Sequence, residues 1–398
     1  MSTIALQQSV VQGQTLRRAA LFVAILLSGG NEIFPRVPLA IALIMLCVAI
    51  QGIRILTRRE FAFCLVLLIT ILAVAIFQGD QILSTAILVR FTNFLLALMV
   101  LSLYLDIGRD VFIDDIFPIL KLMCYQAIAT TVLGTLVPGL FFPLYVKEST
   151  YNTLGLIFTF HAGAEGAGAI ARADGFFFEP GVFQLYLNIF VIISAFIRKN
   201  VKNLALGVAA VIATQSTTGL SITGILLIVF LFRRVKEMPT YFNVMTSVFS
   251  PILIIPFAFL LSSNVEDKFF GVARGSSWAR EYDLYTGLAV ARENPWFGIG
   301  FDYKRYFEES YFLGYKGTLL DDNSIIDRPN SNGIVIALYT LGIPLALIFF
   351  IGLYRQLLIE ERALMFLTMF LSFSTEAMLF TPFALMFVFS GLLIRSKK

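Results

Sequence analysis

Two polar stretches in an otherwise apolar chain carry the residues fit for chemistry. The longer runs from Arg274 to Gly300 and holds Arg274, Arg280, Tyr282, Asp283 and Arg292 ahead of Asn294-Pro-Trp-Phe-Gly-Ile-Gly300. The shorter is Arg172-Ala-Asp174-Gly-Phe-Phe-Phe-Glu179-Pro-Gly181. A guanidinium meets phosphate oxygens through paired donors. Arg280 and Arg172 therefore suit an anionic, phosphate-bearing substrate. Glu179 could face a substrate together with Arg172 at the membrane surface, and Asp283 lies near Arg280.

Each candidate needs an element to hold it. Ser276 or Ser277 caps a helix predicted to run to about Glu293. Trp278, Tyr282, Tyr285 and Ala289 recur at helical spacing, an aromatic stripe able to lie on a bilayer interface. Arg280, Asp283, Leu284 and Gly287 occupy a different face. Asn294-Pro295 ends the helix, and Gly298 and Gly300 permit tight turns. That Gly-x-Gly follows no strand and opens no βαβ unit, so a dinucleotide site is excluded. A structural lid with solvated charges is the competing reading of this helix. In the shorter stretch, Pro180 and Gly181 suit a helix start. Arg172 is either a substrate contact or an interfacial anchor, with Phe176 to Phe178 in an aromatic belt. Thr214-Gln-Ser-Thr-Thr-Gly219 is a polar hairpin that either satisfies itself or lines a groove. Arg90 lies in the outer part of an apolar run, where a charge is costly and is expected to bind or pair; Glu376 is a candidate partner. Asp321-Asp322-Asn323 reads as a solvated turn rather than a metal site. His161, the only histidine, borders a glycine- and alanine-rich loop ill suited to hold a catalytic group.

The scaffold is read from composition. Hydrophobic residues make up 58% of the chain and charged residues 14%, with a mean hydropathy of +0.84; soluble domains carry roughly 25% charged residues. Apolar runs of about 20 residues recur from end to end, without the alternation of barrel strands. The expectation is an all-α polytopic membrane protein of about twelve transmembrane helices, at 19–30, 37–56, 61–78, 82–104, 116–138, 182–197, 203–216, 218–232, 245–262, 333–354, 362–378 and 381–394. Most of the 30 Lys and Arg residues, from Arg17 and Arg18 to Lys398, fall in short connections on the side that holds both termini. That side is expected to be cytoplasmic. The first run shows no cleavage site and is expected to be retained. The whole chain, 1–398, is expected to form one membrane domain. Two long outer loops, 139–181 and 263–332, are expected to carry short amphipathic helices. Cys47, Cys64 and Cys124 sit in apolar runs, against a disulfide framework or a cysteine zinc site. GxxxxGK[ST] is absent, against direct use of ATP. No metal, cofactor or nucleic-acid partner is expected.

Four elements, in order, resemble the O-antigen polymerase and ligase superfamily, specifically Wzy-type O-antigen polymerases. Arg172 to Gly181 resembles the family's Arg-x-x-Gly…Glu-Pro element. Ala213 to Gly219 resembles its Thr-x-Ser-Arg-Thr-Gly turn. Arg280 with Asn294 to Gly300 resembles its Arg…Asn-Pro-Leu-Phe-Gly-Val-Gly element. Asn332 with Leu338 to Gly342 resembles its Asn-x-x-Leu…Gly element. The likeness covers roughly 80–355. Two departures stand out. Thr217 replaces the turn's usual arginine, so that residue's anion-binding role does not carry over. Ser331 stands where the ligase branch usually has histidine, which favours polymerase.

The resemblance implies a GT-C-like, metal-independent glycosyltransferase of the bacterial inner membrane, its active site facing the periplasm. It would join undecaprenyl-diphosphate-linked oligosaccharide donor and acceptor units. Arg280 and Arg172 would meet the diphosphate, with Arg90, Arg274, Arg328 and Tyr282 as further substrate contacts; Glu179, or failing that Asp283, would serve as a base or orient an arginine, and Asn330, Ser331 and Asn332 would hold sugar hydroxyls. Membrane lipid, a chain-length-regulating co-polymerase and a flippase are the partners implied. The alternatives are an O-antigen ligase acting on lipid A core, a flippase or other transporter of the same units, and a scaffold without chemistry. A transporter would show midplane charge and internal repeats, and neither is evident.

Overall fold

A segment surrounded by lipid must satisfy its own backbone, so the leucine-, isoleucine- and phenylalanine-rich runs fold as helices. The computed structural model describes residues 3–30, 33–52, 59–79, 84–146, 149–161, 170–237, 274–315, 318–319, 325–326 and 329–393. The expected span 245–262, the stretch 162–169, Asp321-Asp322-Asn323 and Arg328 lie outside them. The helices are α1 Thr3–Ser28, α2 Arg36–Gln51, α3 Ala62–Phe77, α4 Thr85–Leu105, α5 Arg109–Leu136, α6 Pro180–Ile192, α7 Val201–Thr214, α8 Thr217–Glu237, α9 Arg274–Glu293, α10 Tyr303–Phe312, α11 Gly333–Leu341, α12 Ile343–Tyr354, α13 Arg362–Phe373 and α14 Pro382–Leu392. Among the described residues, four segments are long and apolar enough to cross a membrane: Thr85–Leu105, Arg109–Leu136, Pro180–Ile197 and Thr217–Arg234. Six further apolar helices are shorter. The architecture fits a multi-pass membrane protein.

Lipid tails are as apolar as leucine, so helix association rests on close packing and buried polar contacts. Gly352 and Gly391 bring α12 and α14 into backbone contact. A buried polar ladder ties α6, α8 and α13 together. Thr223 donates to Asn188 (2.7 Å), Asn188 to Gln184 (2.9 Å) and Gln184 to Ser372 (3.0 Å).

Helix α5 separates two ends. At its start, fully buried Asp115 receives Arg17 (3.0 Å) and Arg18 (3.3 Å), while Asp114 pairs with Arg198. Near its finish, Gly134 admits the side chains of Ala171 and Phe160. Nineteen residues at 1.5 Å each put these ends about 30 Å apart, the depth of a bilayer's hydrocarbon core. The basic connections and the polar stretches thus lie at opposite ends.

Two expectations need correction. Among its described residues, the first loop carries a sheet in place of an amphipathic helix: β1 (Phe142–Val146), β2 (Ser149–Leu154), β3 (Phe158–His161) and β4 (Arg172–Ala173) pair antiparallel in sequence order, with Val146 opposite Ser149, Asn152 opposite Phe160 and Phe160 opposite Ala173. Along β2, buried Tyr151 and Thr153 alternate with half-buried Asn152 and Leu154. That two-residue period, rich in aromatic and β-branched residues, is a strand signal. A second small sheet pairs β5 (Thr318–Leu319) with β6 (Ile325–Ile326). The expected span 333–354 is also broken, into α11 and α12. Gly342 lies between them in the left-handed region (φ 77°), and Pro344 has no N–H to continue the ladder.

Candidate functional site

At the end away from the basic connections, a buried turn joins α13 to α14. Helix α13 stops at Phe373, and the chain turns through Glu376, whose N–H donates to Ser372 and whose carbonyl accepts from Met378. Glu376 is 3% exposed. Its side chain enters the start of α6 because residue 181 is glycine: an added Cβ would collide with Oε1 and lie 2.8 Å from Cδ. Gly333, at the start of α11, likewise admits the Glu376 carbonyl, 2.8 Å from where a Cβ would be. The carboxylate thus rests against a helix N-terminus, where exposed N–H groups favour negative charge.

Arg280 of α9 donates from Nη2 to Glu376 Oε1 at 3.4 Å. Its side chain is 30% exposed against 3% for its partner. Among the described residues Glu376 is its ionic partner. The acid is enclosed and the guanidinium half open, so Arg280 is anchored on one side and reachable on the other.

The rest of α9 is held by its polar face. Asp283, Thr286, Gly287 and Val290 are buried, while Trp278 and Tyr285 are exposed, as the aromatic stripe requires. Asp283 Oδ2 accepts from the Ser331 N–H (2.9 Å) and hydroxyl (2.6 Å). Asn330 donates to the Asp283 carbonyl (2.6 Å) and to the Tyr306 hydroxyl (3.1 Å), and its Oδ1 receives the Asn332 N–H (2.8 Å). Asn332 caps α11, accepting from Ile334 and Val335. Gly287 leaves room for Val335. Asp283, Asn330, Ser331 and Asn332 therefore fasten α9 to α11.

The Asn294 to Gly300 motif closes this arrangement. In an unbroken helix the Thr340 carbonyl would await the missing N–H of Pro344. Here Gly300 donates to Thr340 (3.2 Å), Ile299 to Tyr339 (2.7 Å), and Ile343 to Pro295 (2.7 Å). The motif thus replaces the hydrogen bonds lost at the break. Gly298 and Gly342 allow the close backbone approach; a Cβ at Gly298 would lie 2.6 Å from the Gly342 nitrogen.

The first polar stretch joins the same end. Glu179 is the residue before α6, and its side chain makes no capping bond. Arg172 lies in β4, where its Nε is buried without a hydrogen-bond partner among the described residues. The hairpin between α7 and α8 lies beside it: Gln215 donates to the Ile170 carbonyl (3.2 Å), and Thr131 to Ala213 (3.0 Å). Thr214 and Ser216 satisfy turns, but the buried Thr217 hydroxyl has no partner among the described residues. The expected aromatic belt divides. Phe177 stacks in the core on Phe183 and Tyr186, while Phe178 is exposed.

Arg90 is not Glu376's partner. It lies over the Phe380 ring at 5.3 Å, while Glu376 turns to Arg280. Tyr282 meets Tyr315 edge-on, with ring centroids 6.1 Å apart. Helix α9 already includes Arg274, so Ser276 and Ser277 lie within it and do not cap it as expected; Arg328 is outside the described residues. Glu376 is thus the residue that sequence reasoning undervalued. Its signal was an acid beside an apolar run, and only packing revealed its contacts.

Residues 203–350 match the family model of O-antigen ligase. The matched segment contains Arg280, Asp283 and Asn330 to Asn332, with Arg172, Glu179 and Glu376 outside it. This likeness supports a relationship to the O-antigen ligase and polymerase superfamily without distinguishing the two activities. The chain matches no curated protein and no solved structure.

Proposed function

We propose that the protein is an O-antigen polymerase. It would join undecaprenyl-diphosphate-linked oligosaccharide units at the periplasmic face of the bacterial inner membrane by glycosyl transfer, releasing undecaprenyl diphosphate. The observation that carries this reading is the half-open Arg280 anchored on buried Glu376. A diphosphate is already a good leaving group. The demand on the protein is to neutralise its growing charge and align two lipid-anchored sugars. Arg280 meets the diphosphate with donors that Glu376 leaves unused, and half-buried Arg172, in β4 at the same end, is the second contact.

In the proposed step, the acceptor hydroxyl oxygen bonds to the donor's anomeric carbon. The bond from that carbon to the phosphate oxygen breaks, and its electron pair leaves with the diphosphate. The hydroxyl proton passes to Glu179, whose side chain makes no capping bond. Asp283 acts as a positioning residue, since its carboxylate already accepts two bonds from Ser331. The chemistry asks for no metal or nucleotide.

The test is purified protein incubated with its lipid-linked repeat unit, without added metal or nucleotide. The expected product is a polymer ladder, absent with Arg280→Ala protein that still inserts and folds. A normal ladder from Arg280→Ala overturns the assignment. The match of residues 203–350 to the family model of O-antigen ligase favours a second reading, an O-antigen ligase. Cells lacking a ligase accumulate lipid-linked polymer, whereas cells lacking a polymerase carry single repeats on core, so deletion separates the two.

A further inference from the structure

Arg90 lies in α4, one of the segments long and apolar enough to cross a membrane, and no carboxylate among the described residues pairs with it. A guanidinium within a span is costly and is kept where it pairs or works. At the other end of the molecule Arg17, Arg18, Arg109 and Arg198 all meet acids. Arg36, at the start of α2, is a second cation that no described carboxylate pairs with. We propose that Arg36 and Arg90 together hold the diphosphate of the acceptor, the lipid-linked unit whose hydroxyl attacks. This assignment rests on the polymerase reading and deepens it: joining two lipid-linked units requires two diphosphates to be docked at once, and Arg280 accounts for the one that leaves.

Two neighbouring helices bring these cations to one height. Helices α2 and α4 both run away from the Arg280 end. Helix α2 follows α1, whose Ser28 accepts from the Phe383 N–H at the start of α14 (2.9 Å), and Asn93 of α4 donates to the Phe380 carbonyl in the α13–α14 turn (3.0 Å). Near their far ends the Ser102 hydroxyl donates to Gln51 (2.8 Å), and Gln51 donates to the Ser102 carbonyl (2.7 Å). Arg36 lies fifteen residues back from that junction and Arg90 twelve. At about 1.5 Å per residue, the two stand within about 5 Å of the same height. The Arg36 charge accordingly reaches Arg90.

The surroundings name the ligand. Two guanidiniums offer paired donors to phosphate oxygens. Val37, Ile41, Met45 and Val48 are exposed in a line along α2, and exposed Leu88 and Val89 precede Arg90 on α4. That apolar surface suits a long lipid tail rather than a free anion. Position then favours a reactant over a bulk lipid. Arg90 lies over Phe380, four residues beyond Glu376 in the same turn. One turn thus holds Arg280 through Glu376 and Arg90 through Phe380, and four residues of chain span at most about 14 Å. The reaction needs such an offset, because the acceptor's diphosphate stays on its lipid, separated from the attacking hydroxyl by the acceptor's own sugars.

Native mass spectrometry of the purified full chain, titrated with undecaprenyl diphosphate, tests this. Wild type should take up two molecules, one at Arg280 and one at Arg36 and Arg90. Arg36→Gln and Arg90→Gln should each weaken one of the two by about fivefold or more, and Arg90→Lys, which keeps the charge, should lose less. Arg36 is exposed, so its variant reports the site even where Arg90→Gln fails to fold. Arg280→Ala should weaken the other molecule and leave this one. Phosphatidylglycerol or inorganic pyrophosphate, added separately at equal concentration, should not displace the lipid held by Arg36 and Arg90. Uptake of a single molecule by wild type, unchanged uptake by the glutamine variants, or displacement by phosphatidylglycerol would each overturn the proposal. Failure of the polymerase reading looks different: Arg280→Ala protein would make a normal ladder while the loss of uptake in the Arg36 and Arg90 variants persisted.

Discussion

The Oε1 atom of Glu376 occupies the space that a β-carbon on residue 181 would fill. Helix α6 begins with Pro180-Gly181, so its second residue leaves a gap where the N-terminal N–H groups attract negative charge. The acid in that gap reaches Arg280 on α9 at 3.4 Å. A glycine on one helix thereby sets the position of an arginine on another.

Gly181→Ala should therefore act at a distance. The new methyl group expels the Glu376 carboxylate and frees Arg280, with loss of about tenfold or more in polymer formation. Complementation of a deletion strain, read as polysaccharide length on gels, checks it. Wild-type chains from Gly181→Ala cells, at matched protein level, would show that the gap is not needed.

Glu376→Ala removes the anchor without filling the gap. We expect turnover to fall by about 10- to 100-fold, more than KM rises, because a mispositioned guanidinium still attracts the diphosphate but no longer meets it where charge develops. Glu376→Gln keeps an acceptor and should lose less. Initial rates on the purified lipid-linked unit separate the two terms. Equal rates for all three proteins would remove Glu376 from the mechanism.

The bonds from Ser331 to Asp283 should appear as a coupling energy. Hydrogen bonds to a charged acceptor contribute about 1.5–3 kcal/mol, so Asp283→Asn and Ser331→Ala should each lower the thermal midpoint. The double variant should lose less than the sum. Strict additivity would mean that the contact contributes nothing.

Gly298 and Gly342 face each other with positive φ, 67° and 77°. Alanine at either position adds left-handed strain of about 1–2 kcal/mol and a clash with the opposing backbone. Both single variants should unfold at lower temperature in detergent, with effects that are not additive, since one separation of the two segments relieves both clashes. A stable Gly298→Ala protein would contradict the exchange of hydrogen bonds across the break.

Parts of this were legible in the residues. The helix before Asn294, its outward aromatic stripe and the break at Pro295 follow from spacing and proline chemistry, and α9 ends at Glu293. The strands of the first loop carried a two-residue period in Tyr151 to Leu154 that the apolar background obscured. The broken helix was hidden because Gly342-Ile-Pro344 lies within an apolar run, where a break is tolerated only if another segment supplies the missing bonds. That segment lies more than forty residues earlier, in Pro295 to Gly300.

The sequence by itself determined a helical, membrane-type chain and the grouping of its charges, because a lipid-embedded helix satisfies its own backbone and its composition shows locally. Tertiary structure alone decided that Glu376 pairs with Arg280 and not Arg90, that Asp283 fastens Ser331, and that Gly181 makes room for a carboxylate. Those outcomes depend on groups from segments 48 residues apart for Asp283 and Ser331, and 96 apart for Arg280 and Glu376, meeting at one point, and close packing between lipid-embedded helices leaves no periodic trace in either segment.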